Sequence, residues 1–279
     1  MRKISAKNIG KVIEELCLEA NFVLREDIFS ALKIAYEKED LERARTILSE
    51  LIENAALASR EKLPLCQDTG FIIIFLKLGQ EVIISGGDLT TAINKGIREG
   101  YRKGYLRKSV CHPLTRQNTG DNIPAVIHTE IIPGNKLKIV LFPKGFGSEN
   151  ASKLQMFEPT AGTEKIKKFI VDSVAQSGIN SCPPLIIGIG IGGTADKATL
   201  LSKRALLRTV GSTHEEAQIG QLEKELLDEI NALGIGPAGL GGKTTALAVH
   251  IETYPTHIAG LPVAINISCH ALRQAERIL

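Results

Sequence analysis

Apolar residues recur at helical spacing through the first part of the chain. Short β-branched runs replace them further on. Ile9, Val12, Ile13, Leu16 and Ala20 fall on one helical face. Asp40 is placed to cap a second helix, which carries Leu41, Ala44, Ile47, Leu48, Leu51 and Ile52 on one side. Asp27 is placed to start a shorter helix between the two. This pattern predicts a helical lobe over about residues 1–62.

The texture changes at Leu63. Residues 71–78 are β-branched and aromatic and predict a buried strand. Asp88 then caps a helix that runs to Tyr101. Residues 125–132 and 136–142 read as two strands, with Pro133, Gly134 and Asn135 joining them as a hairpin. Thr163 opens a helix carrying Ile166, Phe169, Ile170 and Val174, and Gly178 ends it. A strand follows at 185–191, then helices at 197–207 and 215–233, then strands at 244–251 and 263–267. The expected fold class is α/β (mixed α+β), a helical N-terminal lobe followed by a mixed sheet flanked by helices. The long hairpin argues against a purely parallel sheet. No Pro/Gly-rich linker divides the chain, so residues 1–279 are expected to form one domain, with the mixed α/β part at about 63–279.

Composition narrows the function. Hydrophobic residues are 43% and charged residues 23% of the 279, as in ordinary globular proteins. A formal net charge of +3 is too small for the basic face that nucleic-acid binding needs, though compatible with a small anionic substrate. The basic start has no apolar stretch or cleavage site of a signal peptide. No run reaches the roughly 18 apolar residues of a membrane span. The sequence therefore predicts a cytoplasmic protein with no nucleic-acid or membrane partner. Its five cysteines are odd in number and widely spaced, which argues against a disulfide framework in a reducing compartment.

Polar, glycine-rich segments lie between the predicted elements, where sites are usually built. They are LPLCQDTG (63–70), NTGDNIP (118–124), PKGFGSEN (143–150), SCPP (181–184) and SCHA (268–271). Cys66, Cys182 and Cys269 fall in these junctions, whereas Cys17 lies on an apolar helix stripe and Cys111 in a basic loop. Three thiolates at strand ends could converge on a cluster. With no C-x-x-C pair, buried structural thiols remain the default reading. GIGIGG (188–193) satisfies G-x-G-x-x-G, but no acidic strand end follows about 20 residues on; the plainer reading is a tight strand-to-helix turn. GLGGKT (239–244) imitates a phosphate-binding loop, yet Pro237 occupies its first glycine position, which excludes ATP hydrolysis. An anion at the glycine-rich backbone beside Lys243 stays open. His257 sits in a turn between strands and by itself is more readily structural than catalytic.

Taken in order, LPLCQDTG, NTGDNIPAVIH, KGFGSENASKLQMF, NSCPP, GIGIGGTADKA, GIGPAGLGGKTTALAV and ISCHA resemble the class I fumarate hydratase family. The likeness is nearest to the separate alpha subunit of its two-subunit members, a group that includes L(+)-tartrate dehydratase. It runs from about Leu63 to Leu279, and the helical N-terminus fits it.

The resemblance implies a [4Fe–4S] cluster on Cys66, Cys182 and Cys269, with the fourth iron left open to act as a Lewis acid on a hydroxy-diacid. It implies Asp68 and His257 as catalytic groups, and Gln67, Arg107, Gly145 and Gly147 as substrate-binding ones. Phe146 departs from the family's frequent third glycine. Single-chain relatives continue into a second domain that supplies the base. The resemblance therefore implies a separate beta subunit, in an α₂β₂ heterotetramer acting on a small dicarboxylate. The expected reaction is reversible hydration of fumarate to L-malate. L(+)-tartrate dehydration to oxaloacetate is the runner-up. A non-catalytic iron–sulfur protein and a nucleotide-binding dehydrogenase are remoter.

Overall fold

A computed structural model describes residues 1–279. The chain forms two compact units. The first comprises Met1–Arg25, Asn54–Phe146 and Arg273–Leu279, and the second Glu26–Glu53 and Gly147–Leu272. The chain opens with β1 (Arg2–Ser5), α1 (Ala6–Phe22), α2 (Glu26–Lys38) and α3 (Glu42–Glu61). Helix α1 thus belongs to the first unit and α2 to the second, while α3 begins in the second and ends in the first. The mixed α/β class is borne out, with two mixed four-stranded sheets rather than one.

In the first unit, β2 (Phe71–Gly79), β3 (Val82–Ser85), α4 (Leu89–Lys103), β4 (Val126–Ile132) and β5 (Leu137–Lys144) follow. β5 leads into the short helix α5 (Phe146–Glu149), and β10 (Ala275–Ile278) closes the main sheet, whose order is β10-β5-β2-β4. β1 and β3 pair in parallel beside it. The helical periodicity read from the sequence becomes a core of Ile9, Ile13 and Leu16 from α1, Ile93, Ile97 and Tyr101 from α4, and Ile72, Ile74 and Leu141 from the sheet. Asp88 caps α4 as expected, its Oδ1 accepting from Thr91 N at 2.6 Å. Those backbone bonds hold its carboxyl below the usual carboxylate range.

Two expectations are corrected here. Strands β4 and β5 are not a hairpin. Both pair with β2, β4 in parallel and β5 antiparallel, so β2 lies between them. The physical reason is burial. β2 is apolar on both faces, with Ile73 and Phe75 buried on one side and Ile72 and Ile74 on the other. β4 alternates exposed and half-buried residues, the pattern of an edge. The 133–135 turn instead crosses the end of β2, where Glu81 N donates to Gly134 O at 3.0 Å. Asp40, for its part, does not cap α3. Leu41 O accepts from Arg45 N at the helix start, and the Asp40 carboxylate pairs with Lys243 Nζ.

In the second unit, β6 (Lys153–Phe157), α6 (Gly162–Ser177), β7 (Leu185–Gly192), α7 (Ala195–Ala205), α8 (Ala217–Ala232), β8 (Ala246–Tyr254) and β9 (Leu261–Cys269) build a sheet ordered β6-β9-β7-β8. Ile187 and Ile189 of β7 join Ile166 and Ile170 of α6 and Leu226 and Ile230 of α8 in one core. The alternate residues, Gly188 and Gly190, face α7. A Cβ on Gly190 would lie 2.0 Å from Ala198 O, and one on Gly188 2.1 Å from Ser202 O. These glycines of the G-x-G-x-x-G match therefore let a helix backbone lie against the strand. Gly190→Ala is expected to destabilise the chain by about 1–3 kcal/mol or more, because backbone must move. A urea midpoint unchanged from wild type would contradict this. No helix is long and apolar enough to cross a membrane.

Candidate active site

The segment before β2 carries Cys66, Gln67 and Asp68 in succession. Asp68 is half-buried and tied at both oxygens: Oδ1 accepts from Gly70 N at 3.0 Å and Oδ2 from Phe146 N at 2.8 Å. The carboxylate is thereby fixed in direction while keeping lone pairs to spare. Thr69 Oγ1 donates to Arg107 O at 2.7 Å, which brings the Arg107 segment alongside. Arg107 Nη1 reaches Gln67 Oε1 at 3.4 Å, a long contact, and both side chains are exposed. The Tyr101 hydroxyl lies 2.6 Å from Thr69 O and 3.0 Å from Gly70 O. Burial pushes that hydroxyl's pKa far up, so it stays a neutral donor.

Asn122, fully buried, holds the other side. Its Nδ2 donates to Gly70 O at 3.2 Å, and its Oδ1 accepts from Ser109 N at 2.7 Å. Gly70 sits at φ +81°, where a Cβ would lie 2.9 Å from Lys144 N, so the segment can enter β2 only with glycine there. Gly145 lies across from Asp68: the position of a Cβ on it is 3.3 Å from Asp68 Oδ2. The structure thus brings Gln67, Asp68, Arg107 and Gly145 together. The sequence reading missed Asn122, Tyr101 and the buried Arg273 of the same unit. Only Asn122 had a signal, its place in the polar NTGDNIP run.

The second unit holds Cys182, Cys269, Gly147 and His257. Cys182 is exposed, in a left-handed backbone conformation between a 3-10 turn and a cis Pro183–Pro184 bond. Cys269 ends β9, opposite Leu185 of β7. His270 Nδ1 lies 3.1 Å from Cys182 O, which links the two cysteine segments. Burial holds the His270 imidazole below its usual pKa. Gly147 lies in the short helix α5, whose Glu149 pairs with Lys203 and accepts from Asn266 Nδ2 at 3.1 Å. His257 is exposed in the β8–β9 loop, its Nδ1 accepting from Ala259 N at 3.1 Å. Lys243, in the loop that imitates a phosphate site, is engaged by its own chain. Its N donates to buried Glu39 at 2.7 Å, and its Nζ pairs with Asp40.

None of the five cysteines is in a disulfide. Cys17 is fully buried, and burial, with the nearby Glu14 charge, pushes its thiol far above the usual range. It is therefore an inert packing group. Cys66, in the first unit, is half-buried. No group of three or more His, Cys, Asp or Glu side chains is clustered tightly enough to hold a metal ion.

The chain matches the family described as fumarate hydratase (Fumerase) over residues 10–278. It belongs to that family, the class I fumarate hydratases, and is a hydro-lyase of it. Among its relatives is a Methanocaldococcus jannaschii protein whose name gives it, provisionally, as an L(+)-tartrate dehydratase subunit alpha. The two are 45% identical over 273 residues, covering 96% of each chain. The L(+)-tartrate dehydratase subunit alpha of Escherichia coli K12 is 31% identical over 288 residues, covering 99% of this chain and 94% of that one. The same subunit from E. coli O157:H7 is 30% identical over 287 residues, covering 99% and 94%. Family membership implies an iron–sulfur cluster. The donor chemistry fits it, since Cys66, Cys182 and Cys269 are outside any disulfide and within reach of solvent.

Proposed function

We propose that the chain is the alpha subunit of an L(+)-tartrate dehydratase, removing water from L(+)-tartrate to give oxaloacetate together with a separate beta subunit in an α₂β₂ assembly. The observation that carries this reading is full-length similarity to proteins named as alpha subunits of that enzyme. It reverses the order that the sequence alone suggested, where fumarate came first. Hydration of fumarate to L-malate is the second reading, favoured by the description of the family.

In this proposal Cys66, Cys182 and Cys269 hold a [4Fe–4S] cluster. When bound, such a cluster supplies Lewis acidity at the iron that lacks a thiolate. The remaining work falls to the chain's own groups. Asp68, aimed by two backbone donors, holds or delivers the proton on the departing hydroxyl. Arg107 offers an exposed guanidinium fork to a substrate carboxylate, and Gln67 a neighbouring amide. The open backbone at Gly145 and Gly147 leaves room for substrate, and His257 is a second proton-bearing group. The beta subunit contributes the base that takes the proton alpha to the carboxylate.

The test is the purified alpha–beta complex assayed anaerobically on L(+)-tartrate, L-malate and fumarate, with the alpha chain alone as control. Tartrate and malate differ by one hydroxyl. A site that hydrogen-bonds that hydroxyl is expected to favour tartrate in kcat/KM by at least about 100-fold. The isolated alpha chain is expected to be inactive. A preference for malate and fumarate selects the second reading, and full activity of the alpha chain alone overturns the two-subunit proposal.

A further inference from the structure

Arg273 is only 2% exposed, yet it forms no ion pair. Its single hydrogen bond runs from Nη1 to Asn21 Oδ1 at 3.0 Å, and its buried Nε meets no acceptor. Asn21, itself fully buried, is neutral and is held in turn by Cys17 O at 2.9 Å. A guanidinium cannot shed its proton to escape burial. Folding therefore spends stability to keep a positive charge at this spot, and an anion must answer it.

A negative group, Asp68, lies on the other side of Gly145. Arg273 Nη2 lies 3.6 Å, and Asp68 Oδ2 3.3 Å, from the position a Cβ would take on Gly145. The two charges flank the bare face of Gly145 and are no more than about 7 Å apart, a range over which opposite charges attract in a partly dry setting. Gly145 is not among the positive-φ glycines, so backbone strain does not require a glycine there. What the missing side chain provides is a clear line between the guanidinium and the carboxylate. All these groups, with the amides of Gly70 and Phe146 that tether Asp68, lie in the first unit.

We infer that Arg273 is the positioning residue for Asp68: its buried positive charge, acting across Gly145, holds the carboxylate against the Gly70 and Phe146 amides. Arg273 touches no substrate in this arrangement and acts through Asp68. The kinetic part of the test rests on the proposed dehydratase reading; the amide part does not.

The experiment compares Arg273→Met, Arg273→Lys and wild type. In the full alpha chain, hydrogen exchange is followed at the Gly70 and Phe146 amides and at α4 core amides. Arg273→Met is expected to lower protection at Gly70 and Phe146 by at least about tenfold while leaving α4 unchanged, and Arg273→Lys to restore it. A uniform loss through the first unit in both variants, or no loss at Gly70 and Phe146, overturns the inference. In the alpha–beta complex, Arg273→Met is expected to lower kcat about 10–100-fold with little change in KM or iron content. In an Asp68→Asn background the same change is expected to cost almost nothing more, because the two act as one unit. Additive losses, or a rise in KM alone, would assign Arg273 a role independent of Asp68. If the wild-type complex dehydrates neither diacid, the dehydratase reading fails while the exchange result still decides the role of Arg273.

Discussion

Serine in place of Cys66, Cys182 or Cys269 is expected to leave the chain unable to retain a four-iron cluster after anaerobic reconstitution, and to reduce the activity of the complex by more than about 100-fold. Cys17→Ala and Cys111→Ser are expected to retain both iron and activity. The contrast follows from environment. A cluster ligand must be a thiolate, and Cys17, sealed in the core with its pKa driven upward, is held as a thiol. Cys111 pairs through its backbone with Asn118 and lies outside the three segments that the proposal assigns to the cluster. Of the three remaining thiols, Cys269 ends strand β9, and Cys66 and Cys182 lie in the loop segments that lead into β2 and β7. Iron and sulfide counts with absorbance read the outcome. Retention of four irons in any one of the three serine variants would remove that cysteine from the ligand set.

The second large effect is expected at Asp68. Asp68→Asn keeps the size and shape of the side chain but replaces one acceptor oxygen with a donor. Because Oδ1 and Oδ2 both face backbone N–H groups, the amide must turn a donor toward a donor on one side. It also cannot carry the proton. The expected loss in kcat is about 10²–10⁴-fold, the usual worth of a positioned acid or base. Iron content and KM are expected to stay near wild type, because neither Arg107 nor the cysteines are touched. Steady-state kinetics on the reconstituted complex measures this, and a kcat within threefold of wild type would exclude Asp68 as the proton carrier.

Much of the fold was legible because its signals are local. The stripe of Ile9, Ile13 and Leu16 and the Asp88 cap each need only a few neighbouring residues, and α1 and α4 formed where the pattern put them. Strand order was not legible in the same way. Whether β4 pairs with β5 or with β2 depends on which strand most needs burial on both faces, a comparison over some 60 residues. The short strands β6 and β10 carry too few residues for any period to show. The site divides likewise. Cys66, Gln67 and Asp68 are adjacent in one segment and could be read together. Asn122 and Arg273 show their part only through partners at Gly70 and Asn21, far away along the chain.

The first unit has a consequence for how the protein is made. It is sewn from three stretches, and its last strand, β10, pairs with β5 through Ala275 opposite Leu141, while Leu279 and Leu137 exchange backbone hydrogen bonds at 2.8 and 2.9 Å. The ribosome delivers Asp68 and its tethering amides long before it delivers Arg273 and β10. Translation of nearly the whole second unit separates the two events. During that interval β5 presents an unpaired edge, the surface that invites wrong partners or a chaperone. The unit that carries Asp68 therefore gains the strand that covers its β5 edge only after residues 147–272 of the second unit have been made.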